Sequence, residues 1–313
     1  MSIPKFSDLP VLEGLGYRHA WDVYGRQDNL GSLNLINEAA VLRGLAAAVS
    51  GKRFALSLPL TDPDPPLFGR QSVDQSLVEL DRNTWDDRLD CFYPQASSQW
   101  DGFKHVRARE YGFYTGLTAE PGDIEGRLGI DHWAEGIISR GVLLDLPRHR
   151  QRRGREYDAM AGEAITPGEL REIADAQEVT IETGDVLCLR LGWQAAYRAV
   201  SDDDRATMAR PDGGLTYSGL NGSEAMSELL WDWQIAALTC DNPSIEVKPG
   251  DPAAGSLHRR ILPLLGIALG ELFDFEQLAD ACAEENRWTF TFIGVPIRMP
   301  GGLGSPANAV AIR

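Results

Sequence analysis

Cysteine is scarce in this chain and shows no pattern. Cys91, Cys188, Cys240 and Cys282 are widely scattered, and no two form a CxxC pair. That spacing excludes a disulfide framework and a zinc ribbon, and it reads as buried free thiols in a reducing compartment. Basic residues are in deficit: 30 Lys and Arg stand against 46 Asp and Glu, a net charge of −16. A surface of that sign suits neither nucleic acid nor an anionic membrane. No uninterrupted apolar run reaches the roughly 18 residues a membrane span needs. The opening Met-Ser-Ile-Pro-Lys-Phe-Ser-Asp has no hydrophobic signal core, so a cytoplasmic location is expected. Internal repeats, heptads and low-complexity tracts are also lacking.

What is present is an ordinary globular balance, 43% hydrophobic and 24% charged over 313 residues, with ample material for a core. Short apolar stretches at 141–146, 183–191, 235–240, 288–295 and 309–312 predict strands, and 53–60 and 77–80 predict two more. Helices are expected at 38–50 behind an Asn37 cap, at 166–177 behind Thr166 and Pro167, and at 195–200, 223–233, 258–269 and 275–285. A further short helix is expected within 126–140. The Asn37 helix would pack through Val41, Leu42, Leu45 and Val49. The proline-rich segment 62–68, the acidic pair Asp86-Asp87, the basic run 148–155, the polar run 201–216 and the stretch 299–306 read as loops or turns. Alternating strands and helices argue for one α/β domain over residues 1–313, with an irregular arm at about 1–36.

Two places carry chemistry. Residues 93–114 set Gln95, Gln99, Asp101 and His105 within eleven positions, broken by Gly102 and by small and aromatic residues. Such a stretch suits a short strand or turn facing a cleft. Asp101 and His105, four apart, meet on a helical turn or converge on a loop; taken alone, they also suit a surface pair. The second place is C-terminal. Asp241 and Asn242 follow an apolar strand, where open α/β sheets place ligands. His258 and Glu271 are thirteen residues apart, more than three helical turns, and converge only if Gly266 or Gly270 marks a bend. A third trio, Asp131, His132 and Glu135, reads better as a salt-linked surface group than as a metal site.

Together these residues resemble the metal-dependent cyclase-like hydrolase family, which includes bacterial kynurenine formamidases and isatin hydrolases. The likeness runs from Asp28-Asn-Leu-Gly-Ser-Leu-Asn34 to Gly304-Ser-Pro-Ala-Asn308. The family motif is His-x-Gly-Thr-His-x-Asp-x-Pro-x-His; here the stretch is Gln95-Ala-Ser-Ser-Gln99-Trp-Asp101-Gly-Phe-Lys-His105. The resemblance implies a swivelling β/β/α domain assembled as a homodimer or homotetramer. It implies that Asp101 binds metal, that His105 is the general acid/base, and that His258 and Glu271 complete the site, with an interval one residue longer than usual. Gln95 and Gln99 replace two metal-binding His, and Phe103 replaces the Pro, which marks a Gln-Trp-Asp-Gly variant subfamily. Amide oxygens are weaker ligands than imidazole. One divalent ion, Mn²⁺ or Zn²⁺, is therefore expected on Asp101, His258 and Glu271, with the Gln99 oxygen. Gln95, Trp100, Phe103, Tyr111 and Phe113 would face a ring-bearing substrate, and Asn242 would orient a ligand. The expected activity is hydrolysis of an amide, lactone or cyclic amide. The alternatives are dehydration by a lyase or cyclase on the same site, and a small-molecule-binding protein that has lost its metal.

Overall fold

The computed structural model describes residues 3–211 and 214–313. Among them, nine strands form one curled sheet: β1 (Arg53–Ala55), β2 (Gln99–Asp101), β3 (Ile137–Asp145), β4 (Val186–Arg190), β5 (Ala237–Cys240), β6 (Ala268–Glu271), β7 (Thr289–Gly294), β8 (Gly304–Pro306) and β9 (Ala309–Ile312). Their order is β8-β2-β6-β5-β4-β3-β7-β9-β1. The four central strands β3, β4, β5 and β6 run parallel. β4, β5 and the Val142–Leu144 part of β3 read as near-continuous apolar runs because both of their faces are covered. Antiparallel strands flank them, β2 and β8 on one side and β7, β9 and β1 on the other. This is the mixed α/β fold that the resemblance implies.

Local capping fixes the helices. Asn37 accepts from the Ala40 N–H at 3.0 Å and opens α1 (Glu38–Ala46). Asp145, the last residue of β3, accepts from the Arg148 N–H at 3.2 Å and opens α2 (Leu146–Arg152). The basic run is therefore mostly helix and not loop. Pro147 in the first turn and Asp145 as cap are the signals that its charge obscured. Thr166 caps α3 (Pro167–Ala176) as expected. After α4 (Trp193–Ala199), Ser201 caps α5 (Asp202–Met208) inside the expected polar loop, whose positions 212–213 lie outside the described residues. Ser223 caps α6 (Glu224–Asp232).

The expected helix at 258–269 divides into three parts. After the short α7 (Leu257–Arg260), residues Ile261–Leu265 close as a π turn. Gly266 then takes φ +65°, and the chain leaves as β6. Gly266 is thus the bend that lets His258 and Glu271 converge. The last helix is α8 (Glu276–Glu285). The strand expected at 53–60 is short, and 304–306 is a strand and not a loop. Within 126–140 the helical part is one 3₁₀ turn, Ile130–Trp133, before β3. Asp86 and Asp87 are not a turn. They lie within an exposed antiparallel ribbon, Asp74–Asp81 with Thr84–Asp90, whose own turn is at Arg82 and Asn83. Cys91 is exposed, whereas Cys188, Cys240 and Cys282 are buried free thiols. No helix among the described residues is long and apolar enough to cross a membrane.

Helix α1 does not pack through the face its apolar pattern advertises. Leu42, Leu45 and Val49 are exposed, and the contact with β3 and β7 is made through the small residues Ala40 and Gly44. A Cβ on Gly44 would lie 2.4 Å from the Ser139 carbonyl carbon and 2.7 Å from the Arg140 nitrogen, both backbone atoms of β3. In an open helix, Gly→Ala gains about 1 kcal/mol. Here Gly44→Ala is expected to reverse that sign and cost about 1–3 kcal/mol, the usual penalty of overpacking. The midpoint of urea unfolding measures it; an unchanged or higher midpoint would show that α1 is not pressed on the sheet.

Candidate metal centre

The site forms where β2 meets β6. Antiparallel pairing sets Gln99 opposite Glu271 and Asp101 opposite Leu269. Alternate residues of a strand share a face, so Gln99 and Asp101 point one way and Trp100 the other. Their shared face lines a cavity of about 550 Å³ together with His105, His258 and Glu271. A ligand atom from each of Asp101, His258 and Glu271 lies within 4.8 Å of the others. His105 follows a tight turn closed by its N–H on the Gly102 carbonyl, and its Nε2 lies 3.7 Å from Asp101 Oδ1. The two sequence segments therefore meet, and the four residues expected at the reaction centre stand together.

Hydrogen bonds hold the cluster. Glu271 Oε1 accepts from the Ile245 N–H at 2.8 Å and lies 3.0 Å from His258 Nε2. Its Oε2 accepts from the Gln99 amide at 3.0 Å. On the far side of the His258 ring, Nδ1 faces Glu246 Oε1 at 3.2 Å. Glu246 also accepts from Leu257 N–H and Ser256 Oγ at 2.5 and 3.1 Å, which anchors the start of α7.

Burial opposes charge on His258, but Glu271 and Glu246 outweigh it and hold the imidazolium well above its usual range. Burial also opposes charge on Glu246, yet its hydrogen bond from His258 and those from Leu257 and Ser256 leave it below the ordinary carboxyl range. Asp101 is pushed up, first by burial and further by Glu271, against the pull of His105, His258 and Arg70.

Two buried acceptors here lack a hydrogen-bond partner among the described residues, Asp101 Oδ1 and Gln99 Oε1. Leaving such oxygens unpaired costs on the order of 1–3 kcal/mol each, more for a charged group. A divalent cation would satisfy both, and two carboxylates, one amide oxygen and one imidazole are ligands such ions accept. The residues present therefore fit a metal ion. Its binding would displace the proton shared between His258 Nε2 and Glu271, since ligands bind deprotonated.

Other expected site residues lie elsewhere. Trp100, Phe103 and Phe113 are core side chains: Trp100 donates to the Ala307 carbonyl, and Phe103 packs on Tyr114 and Trp133. Tyr111 is half-buried against the same core and also stays outside the cavity wall. Gln95 sits in a 3₁₀ turn against Gly304, the residue paired with Asp101, and is not part of the cavity wall. Asn242 is fully buried; its amide donates to the Ser218 carbonyl at 2.6 Å, so it ties loops together behind the site. Asp131 accepts from the Gly301 N–H and His132 contacts the Gly126 carbonyl, the structural role favoured for that trio.

Sequence reasoning missed Glu246 and Tyr217. Glu246 lies on no regular element, twelve residues before His258, and no spacing rule reaches it. Tyr217 lines the cavity and is nearly inaccessible. Burial, with the charge of Glu271, keeps its phenol protonated.

The family model described as "Putative cyclase" matches residues 54–247, more than half of the sequence, and the chain belongs to that family. The crystal structure of a novel cyclase superposes with a TM-score of 0.81 at 23% identity, over 94% of this chain and 99% of that one. Isatin hydrolase A from Labrenzia aggregata, solved with benzyl benzoate, gives a TM-score of 0.60 at 15% identity, over 83% of this chain and 93% of its own. Isatin hydrolase A from Ralstonia solanacearum gives 0.59 at 16%, over 84% and 92%. At these identities the likeness is one of fold. No curated protein matches the sequence.

If Glu246 orients His258 as a ligand, Glu246→Gln should weaken divalent-ion affinity by about 10–100-fold, the usual effect of losing such a partner. Competition against a chromophoric chelator measures it, and an affinity equal to that of the unmodified protein would remove Glu246 from the site.

Proposed function

We propose that this protein is a metal-dependent hydrolase acting on an amide, lactone or cyclic amide bond of a small molecule. The observation that carries this reading is the convergence of Asp101, His258 and Glu271 in a cavity wall, with His105 beside them. One ion, Mn²⁺ or Zn²⁺, would be held by those three residues and the Gln99 oxygen. Gln95 and Gln99, where the resemblance implies histidines, leave no imidazole for a second ion. A divalent ion in such a site supplies Lewis acidity, lowering the pKa of water to about 7 and polarising a carbonyl.

The chain's own residues supply the rest. His105 is a quarter exposed and close to Asp101, so it reaches both the cavity and the cluster. It takes the proton of the attacking water and returns it to the leaving nitrogen or oxygen. Asp101 Oδ1 stands 3.7 Å from the Nε2 of that imidazole. Tyr217, protonated and in the same wall, offers a hydroxyl donor to the oxyanion of the tetrahedral intermediate. Fold likeness to isatin hydrolases supports hydrolysis over simple binding. A single domain, cytoplasmic location and assembly as a homodimer or homotetramer belong to the same reading.

His105→Ala is expected to keep fold and bound metal but lower turnover by about 10²–10⁴, the range for general acid–base help. Product mass decides the reaction type. Gain of one water marks hydrolysis; loss of one water would give the site to a dehydrating lyase. Turnover that survives in His105→Ala would reject the role given to this histidine.

A further inference from the structure

The cavity carries more positive charge than the cluster uses. Arg70, Arg109, Lys248 and Arg259 all line it. Among the described residues, none of these four forms an ion pair, although many arginines elsewhere in the chain do. The carboxylates in the same wall are otherwise engaged. Asp101 and Glu271 belong to the metal cluster, Glu246 holds His258, and exposed Asp251 accepts from the Ala253 N–H. In a protein of net charge −16, a wall in which four Lys and Arg match four Asp and Glu is locally enriched in positive charge.

Two of the four cations are held in place. Phe68 has φ +60°, a left-handed conformation that costs a bulky residue about 1–2 kcal/mol. Its ring carries both the Arg70 guanidinium, 5.3 Å from the ring centre, and Lys248 Nζ, 4.9 Å away. Lys248 is fixed again by paired backbone hydrogen bonds with Tyr217, at 2.9 and 3.0 Å. Arg70 is half-buried, and the carboxylates of Asp101 and Glu271 offset only part of the burial of its charge. Once a divalent ion neutralises those carboxylates, Arg70 is left with no compensating anion from the protein.

We propose that Phe68, Arg70 and Lys248 form a subsite for a carboxylate borne by the substrate, separate from the bond that is cleaved. This deepens the hydrolase reading and rests on it. The guanidinium offers parallel N–H donors that match a carboxylate, and the ammonium adds a point charge beside it. Arg109 and Arg259, exposed at the rim, draw the anion toward the cavity.

The test uses the metal-loaded protein and amide and lactone substrates made in pairs, each as the free carboxylate and as its carboxamide. The unmodified protein should favour the carboxylate about ten- to a hundredfold in kcat/KM, mainly through KM. Arg70→Ala with Lys248→Ala should erase that preference at unchanged metal content, and Arg70→Lys should restore part of it. Equal rates within pairs, or a preference that outlasts both substitutions, overturns the subsite.

If no pair is hydrolysed, the failure lies with the hydrolase reading, and benzoate binding to the metal-loaded protein, compared with Arg70→Ala at equal metal content, decides the subsite alone. Binding weakened tenfold or more by Arg70→Ala supports it. Absent binding, or binding indifferent to Arg70, overturns it. Displacement of benzoate by inorganic phosphate at lower concentration would assign the site to phosphoryl groups and overturn the carboxylate assignment.

Discussion

The site depends on a buried carboxylate at the end of a central strand. Glu271 is the last residue of β6, almost wholly removed from water, and an ionised group there costs several kcal/mol unless it is paired. Three neighbours compensate it: the Ile245 N–H, the Gln99 amide and the His258 ring. Each arrives from a different segment, so satisfying one side chain fixes the relative positions of β2, the loop after β5 and the start of α7. Gln99 has this place because β2 pairs with β6 in the register that sets it opposite Glu271. Gln99 thus serves as a donor to Glu271 through one end of its amide and leaves the other as an acceptor. A histidine in its place could not offer a carbonyl oxygen.

The electrostatics follow from the same arrangement. Acidic groups gather at the cluster, and Arg70, Arg109, Lys248 and Arg259 share its cavity wall in a chain of net negative charge. Coulombic attraction between charges in a low-dielectric wall is stronger than in bulk water and is less screened by salt. Separating the signs across one cavity therefore gives a bound molecule an orientation as well as an affinity.

The chemistry of the site was largely legible in the sequence, and much of its surroundings was not. Asp101 and His105 could be picked out because their residue types and spacing are local. His258 and Glu271 could be paired only on the condition of a bend between them, which Gly266 supplies. Glu246 and the Phe68, Arg70 and Lys248 group left no local pattern, since tertiary contacts alone assemble them. The aromatic residues were misplaced for a simpler reason. Trp100 stands between two inward-facing residues on a strand, and strand alternation sends it to the opposite side, into the core. The apolar stripe of α1 misled in the converse way, because close backbone approach at Gly44 outweighed area burial by larger side chains.

The π turn at Ile261–Leu265 has a consequence for how this chain relates to its family. A turn closed by i→i+5 bonds holds one residue more than an α turn. It lies between His258 and Glu271, in the interval that the family resemblance makes one residue too long. That π turn accommodates a residue as a local bulge, and both side chains reach the cluster. Straightening it by deletion would swivel the imidazole roughly 100° about the helix axis, out of reach of its carboxylate partners.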